Sequence, residues 1–292
     1  MSKPLNCYNG GKRLPKVAAT IPPIIENKQL KVQPFTLLKG DCLKHMKSLP
    51  NKSVDLIICD LPFGCLTGGG GQEKATRKAK NATDVIAGCS WDIPLDLDAF
   101  WTQVKRIRKN DNTPCIHFCT TKYGYELIKS NEKEFRHDLV WSKGRGTSFL
   151  LASRMPMRSH EMIYVFSKAG AKYNRIDITG EFTSWKAHEQ KSHSSTVVES
   201  TGINKAVAND GTHRCPLSVI TIRKSNTKGH STEKPLELYR WLIERYSNEG
   251  DTVLDPTFGS CNSGLVCKEL KRKYIGCEMN NKFFYDALTR MV

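Results

Sequence analysis

Two stretches of this chain, "VDLIICDLPFG" at 54–64 and "DTVLDPTFGSCNSG" at 251–264, share one pattern: a short apolar run, an acid at its end and a glycine-bearing turn. An apolar run with no polar alternation reads as a strand buried on both faces. Such strands belong to parallel sheets, whose connections must cross over through a helix. The rest of the chain supplies the helices. "LDLDAFWTQVKRIRK" places Leu97, Phe100, Trp101, Val104 and Ile107 at helical spacing, and "KPLELYRWLIERYS" and "LVCKELKR" read the same way. Further strands are expected at Phe35–Leu38, in "CIHFCT", "DLVWSK" and "HEMIYVFSK", and in a closing "KYIGCEM". The expectation is an α/β fold, a doubly wound and mainly parallel sheet covered on both faces.

Composition shifts divide the chain. Residues 1–34 carry Pro4, Pro15, Pro22 and Pro23 among many lysines and read as a basic N-terminal arm. Residues 35–170 and 229–292 hold the strand and helix patterns, and 171–228 is a polar insertion rich in Ser, Thr, Asn, Lys and His. Lys and Arg number 45 against 29 Asp and Glu, a net charge of +16, which makes a polyanion the expected partner. The 11 cysteines are too scattered over 292 residues for a secreted disulfide scaffold. No leader-like or membrane-length apolar run is seen, so a reducing, intracellular location, cytoplasmic or DNA-associated, is expected.

The 255–264 loop constrains the ligand. Asp255, Gly259 and Gly264 stand where a parallel strand passes into a helix, where ligands bind in open α/β sheets. The Lys and Ser/Thr of a phosphate loop are missing, since Leu265 and Val266 follow Gly264. Glu278 ends the next strand, about 20 residues on, where an acid reaches ribose hydroxyls. A close-approach loop flanked by two acids suits a nucleoside without phosphates, and S-adenosylmethionine fits: its ammonium and ribose would engage Asp255 and Glu278. A tight strand–helix turn with a capping Asp explains the loop by itself equally well. Cys115, His117 and Cys119 share a strand face, but zinc wants four ligands and no second pair stands at suitable spacing, so no metal is expected.

Together, "LLKGDCLKHMKSLPNKSVDLIICDLPFG", "HEMIYVFSK", "STEKPLELYRWLIERYSNEGDTVLDPTFGS" and "YIGCE" resemble the DNA amino-methyltransferases that modify adenine N6 or cytosine N4. The similarity is to the permuted subgroup, in which the catalytic motif precedes the cofactor motif, and it covers most of 35–292. It implies a Rossmann-like methyltransferase domain with a catalytic half, 35–170, a target-recognition insertion, 171–228, and a cofactor-binding half, 229–292. The family tetrad is usually D-P-P-Y or a relative; here Asp60, Leu61, Pro62 and Phe63 stand in its place. A second glycine common in the cofactor loop is Cys261 in this chain.

The resemblance implies methyl transfer from S-adenosylmethionine, leaving S-adenosylhomocysteine, to a base flipped out of double-stranded DNA. An exocyclic amine is a poor nucleophile because its lone pair is delocalised into the ring. Asp60 and the Leu61 carbonyl would accept its two N–H groups and stabilise the charge that develops, while Phe63 stacks on the base and Pro62 stiffens the turn. Asp at this position leans towards adenine and Ser towards cytosine; a cytosine-N4 enzyme and an inactive DNA-binding relative remain the alternatives. The cofactor set is Asp41, Cys42, Lys234, Asp255, Phe258, Gly259, Ser260, Cys261, Asn262 and Glu278, with Asp41 at the adenine ring and Lys234 near the carboxylate. Lys74, Arg77, Lys78 and Lys80 after the glycine run, and Arg145, Arg154 and Arg158 before "HEMIYVFSK", are expected phosphate contacts. A homodimer and a cognate restriction endonuclease are the further partners implied, with no membrane.

Overall fold

The computed structural model describes residues 34–63, 94–147, 149–181, 211–223 and 233–291. Along the chain run β1 (Phe35–Lys39), α1 (Cys42–Ser48), β2 (Leu56–Cys59), α2 (Leu97–Ile107), β3 (Cys115–Cys119) and α3 (Thr121–Ser130). Then come β4 (Phe135–Thr147), β5 (Arg158–Phe166), β6 (Ile178–Thr179), β7 (His213–Arg214), β8 (Val219–Thr221) and α4 (Leu236–Tyr246). The chain closes with β9 (Thr252–Asp255), α5 (Asn262–Glu269), β10 (Lys273–Glu278) and α6 (Asn281–Met291).

Eight strands form one sheet in the order β1-β10-β9-β2-β3-β5-β4-β8. The first five are parallel, β5 and β4 turn antiparallel, and β8 pairs parallel to β4. The doubly wound expectation therefore holds. Every residue of β2, β3 and β9 is buried, and the period of two splits β2 cleanly. Leu56 and Ile58 pack with α4, α5 and α6, while Ile57 and Cys59 pack with α1, α2 and α3. Helices thus cover both faces.

The helices begin where polar side chains satisfy their first amides. Asp41 accepts from Leu43 N at 2.9 Å, Asp96 from Ala99 N at 3.1 Å and Thr120 from Tyr123 N at 3.3 Å. Two helices, α3 and α6, lie where no helix was expected from the sequence. The polar insertion is not wholly apart either: its Val219–Thr221 segment joins the main sheet at the β4 edge, and β6 pairs with β7. Residues 182–210 of it lie outside the described residues.

From β9 the chain crosses through α5 to β10, toward one edge of the sheet. From β2 it crosses through α2 to β3, toward the other. The boundary between β9 and β2 is thus the point where the winding reverses, and the carboxyl ends of the strands at such a point are where open α/β sheets bind ligands.

Candidate active site at the carboxyl ends of the sheet

Four neighbouring parallel strands each deliver an acid to this end of the sheet. Asp41 follows β1, Glu278 ends β10, Asp255 ends β9 and Asp60 follows β2. The Gly40 amide donates to the Glu278 carbonyl at 2.9 Å, which brings the first two together.

Asp60 does not stand as a bare acid. Lys234 Nζ lies 2.6 Å from its Oδ2 and 3.4 Å from Glu161 Oε2, and Lys143 Nζ lies 2.6 Å from Glu161 Oε1. The result is an alternating chain, Asp60–Lys234–Glu161–Lys143, with the Lys234 side chain only 5% exposed. Phe118 and Trp141 floor it, with the two ammonium groups 5.2 and 5.4 Å from their ring centres. Burial pushes the Glu161 carboxyl up, yet the two lysines outweigh it and hold the group below its usual range. Burial likewise pushes Lys234 down, and Asp60 and Glu161 more than reverse it. Leu61 is buried, Pro62 and Phe63 are half-buried, and the Phe63 ring lies 5.1 Å from that of Tyr123.

The glycine-bearing loop is built around Asp255. Its Oδ1 accepts from Thr257 N at 3.0 Å and its Oδ2 from Ser263 Oγ at 2.6 Å. Burial pushes its carboxyl up to about 7. Phe258 is buried, and its amide donates to the Cys277 carbonyl at 3.1 Å. Gly259, at φ +53°, donates its amide to Glu278 Oε2 at 3.0 Å, and Glu278 Oε1 accepts from Asn280 N at 2.6 Å. Burial raises Glu278 as well. Cys261, in place of the family glycine, holds a left-handed φ of 62° and is buried. A Cβ on Gly264 would meet its Sγ at 2.7 Å, so the thiol uses the space that Gly264 leaves open. Cys42 is buried at the start of α1, its thiol pushed up to about 11 by burial.

Asn262 ties the two motifs together. Its Nδ2 donates to Glu233 Oε1 at 2.7 Å and to the Lys234 carbonyl at 2.8 Å, while its Oδ1 accepts from Arg290 at 2.8 Å. Arg290 also donates to the Ser260 carbonyl.

The sequence reading set Lys234 by a cofactor carboxylate; its ammonium stands against Asp60. It missed Glu161, Lys143, Glu233 and Arg290. The first two carried a faint signal, each being a charge abutting an apolar run in a buried strand. Arg145 and Arg154 are exposed and Arg158 half-buried on the β4–β5 hairpin; Lys74, Arg77, Lys78 and Lys80 lie outside the described residues. Cys115 and His117 do come together, 3.3 Å apart, but with Cys59 and not Cys119 as third donor. All three are buried among the rings of Phe100, Trp101 and Phe166. Among the described residues, no helix is long and apolar enough to cross a membrane.

The architecture is that of solved DNA methyltransferases. The cytosine-N4-specific PvuII enzyme superposes with a TM-score of 0.59 at 16% identity, over 90% of this chain and 89% of its own. The M1.HpyAVI–SAM complex does so with a TM-score of 0.55 at 18% identity, over 88% of this chain and 98% of its own. Among curated proteins, the Type II methyltransferase M.HinfI of Haemophilus influenzae is 28% identical over 88% of this chain and 68% of its own length. M.XycI of Xanthomonas campestris pv. cyanopsidis is 26% identical over 95% of this chain and 96% of its own. The family model for N6/N4 DNA methylases matches residues 54–289. With that match spanning both the Asp60 strand and the glycine-bearing loop within one sheet, the chain belongs to this DNA methylase family.

Proposed function

We propose that this protein is a type II DNA methyltransferase that moves a methyl group from S-adenosylmethionine to adenine N6 in double-stranded DNA. The observation that carries the reading is Asp60, just past β2 and beside β9 at the winding reversal, paired with Lys234, whose carbonyl is bound by Asn262 of the glycine-bearing loop. The relatives named Type II methyltransferases and the M1.HpyAVI–SAM complex support donor and setting. A restriction–modification setting brings a cognate endonuclease with it, and the homodimer rests on the family resemblance.

The loop fits a nucleoside donor. Gly259 adopts a backbone that lets the chain approach a ligand closely, and nothing within 4 Å would meet a Cβ there. Glu278 suits the ribose, Asp41 the adenine ring, and Phe258, Ser260, Cys261 and Asn262 shape the wall. Asp255 already accepts from Thr257 and Ser263, so its part is to hold the loop's shape. When bound, the sulfonium supplies an electrophilic methyl.

The chain's own groups then act on the amine. The Asp60 carboxylate accepts one N–H and the Leu61 carbonyl the other, which localises the lone pair on nitrogen. Phe63 offers its face to the base. Lys234 offsets the charge of Asp60 and fixes its direction. As the N–C bond forms, the C–S bond would break to leave the neutral thioether S-adenosylhomocysteine, and the amine would pass one proton by way of Asp60 to solvent to give a neutral product. Nucleoside analysis by mass spectrometry of DNA treated with the protein and the donor tests the reading: N6-methyladenine is expected. N4-methylcytosine would move the chain to the cytosine branch, and no modified nucleoside would make it a DNA-binding relative without activity.

A further inference from the structure

The β4–β5 hairpin ends in a tip that the fold does not use. Phe149 is 77% exposed, Leu150 88% and Met155 56%, around a short 3-10 turn at Phe149–Leu151 closed by Ala152 N donating to the Phe149 carbonyl at 2.9 Å. One exposed leucine is ordinary. An adjoining phenylalanine and leucine held out together forgo about 1.5–3 kcal/mol of burial each.

The surroundings say what the tip meets. Exposed Arg145 and Arg154 flank it, and Arg158 stands where the two strands rejoin, paired with Thr147. The same two strands carry Lys143 and Glu161, the far end of the charge chain on Asp60. Phe149 lies six positions beyond Lys143, a reach of up to about 20 Å, enough to cross a groove about 12 Å wide. Cations on a stem match phosphates, and an apolar tip matches a base stack, the combination found in side chains that wedge into duplexes.

We infer that this hairpin is a wedge: Phe149 and Leu150 enter the duplex and fill the stack position that the target base vacates. The inference rests on the reading of the chain as a base-flipping enzyme acting on double-stranded DNA. It gives the hairpin a positioning role, since neither side chain touches the reacting atoms.

Two arms test it with the full chain and a Phe149→Ala/Leu150→Ala variant, whose exposed positions leave the core intact. On duplexes carrying the modified sequence, the variant should lose about tenfold or more in methylation of a paired target. It should stay within about twofold of wild type when the target is mispaired and already loose. Phe149→Trp should retain paired-target activity. Equal losses on both substrates would overturn the inference. The second arm needs no turnover: wild type should bind a duplex with an abasic position tighter than an intact one by about tenfold, and the variant should lose that preference. Should wild type methylate nothing, the reaction assignment falls while this arm still decides on the wedge. An unchanged abasic preference, with a dimer lost in sedimentation, would assign the tip to a second copy of the chain and overturn the inference.

Discussion

The carboxylate that the target amine would use is already held by an ammonium. Lys234 grips Asp60 at 2.6 Å while facing Glu161 and, through it, Lys143. Removing one member strands the others, a loss of about 3–5 kcal/mol for a buried pair. Lys234→Met, which strands two carboxylates, is therefore expected to cost stability as well as activity. Asp60→Ala leaves Lys234 its Glu161 partner, so it should cost less stability, abolish methylation and keep cofactor binding; calorimetry beside an activity assay separates the two. Asp255 gives a pH signature. Its folded carboxyl sits at about 7 against an ordinary 3.8, so the folded state retains a proton that the unfolded chain releases in that window. Stability is then present at low pH and falls as pH rises through about 7. Asp255→Asn should flatten that fall, as urea titrations from pH 5 to 8 would record. Asp41, set off by Lys39 and Gly40, came only through the family resemblance, whereas Asp60, Asp255 and Glu278 were legible because each closes an apolar run, and a strand tip is written in local pattern. Glu161, Glu233 and Arg290 were not, because they meet their partners only across the folded sheet.

At the scale of elements, Asp41 has an observed duty as a cap, which substitution can part from the proposed one at the cofactor's adenine ring. It caps α1 through the Leu43 amide, and Asn at that position caps as well as Asp. Asp41→Asn is expected to keep the melting temperature, while Asp41→Ala loses about 1 kcal/mol; differential scanning calorimetry decides. The start of α5 offers a paired test. Gly264→Ala drives a methyl against Cys261 Sγ and the Tyr274 ring, at 2.7 and 2.9 Å, and is expected to destabilise by about 1–3 kcal/mol. Adding Cys261→Gly should restore part of that loss, because it removes the thiol and relieves a left-handed backbone. The helices α2, α4 and α5 were legible through spacing. The two that escaped, α3 and α6, bury few residues each, Tyr123, Gly124 and Leu127 in one and Phe284 and Ala287 in the other. With so little of each committed to the core, neither stretch holds a long apolar run, even though Thr120 and Asn280 cap the two starts.

Across the whole molecule, the surplus of 45 basic over 29 acidic residues sets how it meets DNA. Each cation on a phosphate releases counterions, so binding should weaken steeply with salt, and Arg145→Gln and Arg154→Gln should each lower the salt slope by about 1. Fluorescence anisotropy across a salt series measures it. The doubly wound class was legible because apolar runs alternate with helical stretches. The attachment of β8 to the main sheet was not, since "SVIT" is too short and its surroundings too polar to announce a strand. The paired β6 and β7 carry a different consequence. Their ladder, Ile178 to Arg214 and Thr179 to His213, brings both ends of the intervening stretch within the width of one strand pairing, about 5 Å. A segment of another length or origin can be closed across that clasp at little entropic expense. The stretch between the two strands can therefore change in length without disturbing the sheet whose ends carry Asp60, Asp255 and Glu278.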